Sequence, residues 1–377
     1  MKESSTIVIP IQFKSKKKWK KFDKTIFKEL QLGNKVEGYK WKKLKYSNVK
    51  DSERYVSVVE GFDGDDGKQE SEEVYFYDEA YRTLYDENGA ASSIYFLTKD
   101  NNILLSDSNL YVSFGECNRK IRKIYLYLTN SHIALLIVEL EGEENQMNKV
   151  DIRTIIDSER KLCIIDKNKK SEADLVEWTL ALDKNVKKFC YELPFRKKCF
   201  LATYKFDENI SSETSGNKEL DINNVEVKGF VMSGHGSINE MHSFFGHYFQ
   251  IFWLCILQKT EILHISHMAG RISRKSNVGM VKGDIEYVNR EYVLFYNQYD
   301  LIECTYDEMG EKLYKKIRDN MNINQENIEV REQMQTLHEY AVLLTGKRTN
   351  FWLTLVSIIC SALAIIEFCI KLFKVGF

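Results

Sequence analysis

Residues 351–366 carry no charge, Glu367 is the only ionisable side chain before Lys371, and Lys347, Arg348, Lys371 and Lys374 flank the run. A helix that is apolar on every side has no face to offer water, so this stretch predicts a membrane span over residues 350–370. Trp352 near one end and the lysines near the other suit the two interfaces of a bilayer. The expected arrangement is a cytoplasmic body held in the cell membrane by a single-pass C-terminal anchor. Basic residues flank both ends, so the orientation of the tail stays open. Glu367 is costly in such a helix. Either it pairs with Lys371 four residues on, or several copies form a ring of carboxylates around a pore.

The charge of the remaining chain is unevenly placed. Residues 1–50 hold fifteen Lys and four acidic residues, a balance of +11, which leaves −12 for the rest of a chain whose net charge is −1. Lys14, Lys16, Lys17, Lys18, Lys20, Lys21 and Lys24 surround Trp19 and Phe22. Such a segment binds anionic lipid headgroups, nucleic acid or a nucleotide phosphate, or it is the solvated side of a helix with its aromatic residues turned inward. The eight cysteines include no C-x-x-C pair, a pattern of reduced thiols rather than a disulfide frame.

Hydrophobic periodicity divides the chain into four parts. Residues 1–206 read as a strand-rich α/β or α+β domain with a basic N-terminal segment. Short β-branched and aromatic runs fall at 5–13, 55–59, 74–77, 93–98, 124–129 and 133–141, with helices at 19–32, 78–85 and 149–157. The runs 124–129 and 133–141, joined by Asn130, Ser131 and His132, predict a hairpin. Residues 207–224 are a polar loop. Residues 225–349 are helical, beginning with a buried helix over 244–257, and residues 350–377 form the transmembrane helix and short tail. In the helical part Ile285, Val288, Tyr292, Phe295, Tyr299, Ile302, Tyr306, Met309 and Leu313 recur at spacings of three and four, which predicts a long coiled-coil-like helix. A polar turn at 319–327 leads to a second seam, Val330, Met334, Leu337, Ala341 and Leu344, in phase with the apolar run beyond. Phe295, Tyr299, Ile302, Met334, Leu337 and Leu344 are therefore the expected oligomer seam, with an intramolecular core as the alternative.

Motifs for chemistry are sparse. The chain has no G-x-x-x-x-G-K-[ST] loop, G-x-G-x-x-G turn, G-x-S-x-G elbow or H-E-x-x-H helix, and no cofactor is expected. Glu261, His264 and His267 share one helix face and are weak metal-ligand candidates, with packed histidines as the default. The acidic run 63–67 lacks the spacing of a calcium loop. Arg331 and His338 are spaced like the arginine and histidine of HEPN-type ribonucleases, which the pair resembles. Glu332 stands where that family usually carries Asn, Asp or His.

The runs 124–129 and 138–141, the segment 292–299, the segment 310–317 and the segment 330–340 leading into the apolar run together resemble the CorA-type metal-ion transporter superfamily. The resemblance covers about the C-terminal two-thirds of the chain. It implies an α/β cytosolic domain, a long helix entering the membrane and a pentameric funnel. The chain lacks that family's Gly-Met-Asn motif and second membrane helix, so its selectivity element has no counterpart here. The resemblance implies an oligomeric membrane protein that forms or gates an ion-conducting path, as a ligand-triggered effector in bacterial antiviral defence. The alternatives are a membrane-anchored binding or sensor module without a pore, and a membrane-tethered ribonuclease. Partners expected on this basis are the lipid bilayer, further copies of the chain, and a small-molecule or nucleotide ligand in the body.

Overall fold

In a computed structural model, the residues described are 3–12, 39–43, 76–85, 91–99, 105, 109–114, 117–129, 133–141, 162–166, 171–180, 200–206, 229–234, 244–274 and 278–375. The expected helices at 19–32 and 149–157, the strand at 55–59, the acidic run 63–67, the loop 207–224 and the lysine cluster Lys16, Lys17, Lys18, Lys20 and Lys21 lie outside them.

The hairpin forms where strand patterning places it. Strands β5 (Cys117–Thr129) and β6 (Ile133–Leu140) pair antiparallel, with Leu128 opposite Ala134 and Lys123 opposite Glu139. Every residue of β6 is buried, so both faces of the sheet centre are covered. Strand β1 (Glu3–Gln12) lies on the other side of β6, with Thr6 opposite Glu139. Beyond it come β9 (Phe200–Phe206) and then β10 (Gly229–Gly234), which runs parallel to β9. Gly229 is needed there, because a Cβ would run into the Leu201 carbonyl.

The free edge of β5 serves two partners. Its C-terminal part pairs with β3 (Ala91–Lys99), which carries β2 (Tyr39–Lys43). Its start pairs with β4 (Leu110–Phe114), which continues to β7 (Cys163–Asp166) and β8 (Ser171–Asp174). A register irregularity between Ile121 and Lys123 separates the two parts, as expected where a long strand bends to change partners. Alternate residues of β1, β5 and β6 (Ile7, Ile9, Ile124, Leu126, Leu136 and Val138 among them) form one side of the sheet core. On that side the short helix α2 (Leu175–Leu180) places Trp178 edge-on to Tyr39, and the Trp41 indole donates to the Thr179 carbonyl.

The other side meets helices. Helix α1 (Asp78–Tyr85) occupies the expected span, and the Tyr127 hydroxyl donates to its Thr83 carbonyl at 2.5 Å. A π-helical turn, Phe244–Tyr248, leads into α3 (Phe249–Ser273), whose Phe249, Phe252 and Trp253 are buried as the apolar run 244–257 predicts. Trp253 packs on Tyr127 and Tyr125, with ring centroids 4.8 and 6.3 Å apart.

Helices α4 (Val278–Gln298), α5 (Glu308–Asn320) and α6 (Ile323–Val375) complete the chain. Asp307 caps α5 by accepting the Gly310 N–H at 2.6 Å. Asn322, at φ 54°, turns the chain into α6; asparagine is among the side chains that tolerate this left-handed conformation. The expected four-heptad helix is broken at residues 299–307. Phe295, Tyr299 and Leu313 are buried, but Ile302 and Tyr306 are exposed on the connection.

The chain divides into two compact units, Met1–His264 with Leu294–Glu326, and Ile265–Val293 with Asn327–Phe377. The second unit buries Ile265, Ala269 and Ile272 of α3, Ile285 and Val288 of α4, and Val330, Met334 and Leu337 of α6. Ser266 donates to Gln333 Oε1 at 3.1 Å within it.

The expected fold class, a body followed by coiled-coil-like helices and a C-terminal transmembrane helix, is corrected at its last element. Among the described residues no helix is long and apolar enough to cross a membrane. The first part of α6 is strongly polar, and the uncharged apolar run begins only at Phe351. The single-pass anchor, the transmembrane assignment and the cell-membrane localisation built on it are therefore not supported.

Candidate functional site

Two buried polar centres in the first unit differ in how well their hydrogen bonds are met. One surrounds Arg318, a helix residue only 7% exposed. Its guanidinium donates to the Leu301 carbonyl at 2.5 Å, to the Tyr314 hydroxyl at 2.7 Å, to Asn324 Oδ1 at 2.8 Å and to Asp300 Oδ1 at 3.2 Å. Gln258 of α3 donates to the Tyr299 carbonyl and to the Tyr314 hydroxyl, which in turn donates to Leu301. Lys259 donates to the Met321 carbonyl at 2.6 Å and pairs with Glu326 at 2.5 Å. The connection 299–307 is held from its other side as well. Tyr77 N–H donates to the Cys304 carbonyl, Phe76 bridges Thr305, and Cys304 N–H donates to Glu311. A network with this many bonds met fixes backbone geometry and leaves few groups for a ligand. Burial pushes the Cys255 and Cys304 thiols far above their ordinary range, which disfavours the thiolate form at both.

The second centre is a row across the helix-facing side of the sheet. Register places Thr6, Glu139 and Lys123 side by side on β1, β6 and β5, and all three are buried. Thr6 Oγ1 and Glu139 Oε2 have no hydrogen-bond partner among the described residues. Tyr125 lies one step along the same face, and burial, then the Glu139 charge, raises its hydroxyl pKa well above the ordinary value. The Trp253 indole N–H packed on Tyr125 is likewise without a partner among the described residues. Valine at position 6 keeps the β-branched shape and removes an unmet hydroxyl. Thr6→Val is therefore expected to leave stability unchanged or raise it by about 1 kcal/mol in urea unfolding; a loss above that would mean the hydroxyl is bonded.

His247, in the π-helical turn, sets a pH dependence. Burial pushes its pKa down to about 4, against a smaller opposing pull from Asp307, and its ring meets Phe76 edge-on. The folded value lies below the unfolded one of about 6.5, so protonation favours unfolding. The contribution is complete above about pH 6.5 and is lost progressively as pH falls towards 4, by up to about 3 kcal/mol. Urea midpoints at pH 7 and pH 4.5 are expected to differ more for the native chain than for His247→Gln.

The third feature is the C-terminal half of α6. Phe351, Trp352, Leu353, Val356, Ile358, Ile359, Leu363 and Ile366 are each at least half exposed on one continuous helix. Single exposed apolar side chains are ordinary, but eight within four turns are a patch that calls for a partner.

The structure distributes the residues singled out in the sequence. Trp352 lies in this patch, and Glu367, Lys371 and Leu344 lie along α6. Phe295, Tyr299, Met334 and Leu337 are buried within the chain itself, whereas Ile302 is exposed. Glu261 and His264 are buried and His267 is exposed, and no metal-holding group occurs among the described residues. Arg331 and His338 are both on exposed positions of α6. Sequence reasoning missed Arg318, whose Lys-Lys-Ile-Arg-Asp setting looks like any solvated helix. It also missed Lys123 and Glu139, although charges inside strongly apolar strands are a usable signal.

No protein-family model, no curated protein and no solved structure matches this chain.

Proposed function

We propose that this protein is a self-assembling interaction protein, in which the sheet-and-helix body is carried by an association element formed by the C-terminal half of α6. The carrying observation is the run of exposed large apolar side chains from Phe351 to Ile366 on an unbroken helix. Burying such a surface is favourable by about 25 cal/mol per Å², and another copy of the same helix is always present to do it. Phe295, Tyr299, Met334 and Leu337, named for the expected oligomer seam, are buried inside the chain, so association is assigned to the part of α6 beyond them.

Two differently tagged copies, co-expressed and purified through one tag, test this reading. The native pair is expected to co-purify, and the double variant Ile359→Glu with Leu363→Glu is expected to separate while keeping its unfolding midpoint. Persistent co-purification of the double variant would contradict the assignment.

A further inference from the structure

We draw no further inference here: the strongest candidate, the buried polar row of Thr6, Lys123 and Glu139 on the helix-facing side of the sheet, belongs to the centre already described, and nothing among the described residues shows which ligand the unmet Thr6 and Glu139 oxygens would take.

Discussion

Arg318→Ala is expected to lower the stability of the first unit by about 3–5 kcal/mol, the largest effect of any single change outside the hydrophobic core. The deletion leaves the Asp300 carboxylate and the Leu301 carbonyl without their strongest donor inside a largely buried network. Arg318→Lys is expected to recover only part of the loss. One ammonium cannot reach Leu301, Tyr314, Asp300 and Asn324 in the geometry a planar guanidinium allows. Urea unfolding followed by tryptophan fluorescence measures this, and a loss under about 1 kcal/mol for Arg318→Ala would show that the network adds little to the fold.

Leu337→Asp comes next, at about 3–5 kcal/mol, from lost apolar burial together with a charge placed at a buried position of α6. Its readout separates two roles for the same residue. As part of the core of the second unit, Leu337 governs folding, so hydrogen exchange in α6 should accelerate. As an oligomer seam it would instead change mass and leave exchange untouched. Unchanged exchange would place Leu337 outside the core.

These two cases mark what periodicity reveals and what it hides. Strand alternation located β1, β3, β5 and β6 because a half-buried sheet imposes its period of two on the side chains. The capping and length signals of α1 were likewise local. The heptad series from Ile285 to Leu313 was real as spacing, but the backbone leaves the helix at Tyr299 and resumes at Glu308. What overrides it is the Arg318 network, in which Arg318 bonds to Gln258, 60 positions away in the chain, and which no local pattern contains. Strands β2, β4 and β7 to β10 were missed because each is only four to seven residues long, too few for an alternating pattern to stand out.

The apolar run near the C-terminus was legible as a helix needing an apolar environment. Its expected function as a membrane span is not supported, since among the described residues no helix is long and apolar enough to cross a membrane.

Sedimentation equilibrium of the full chain beside a chain lacking residues 350–377, at matched concentrations in the same vesicle-free buffer, tests the central claim most directly. Self-association through α6 predicts a mass of several chains for the first and of one chain for the second, with the same unfolding midpoint for both bodies. Equal masses for the two would contradict it.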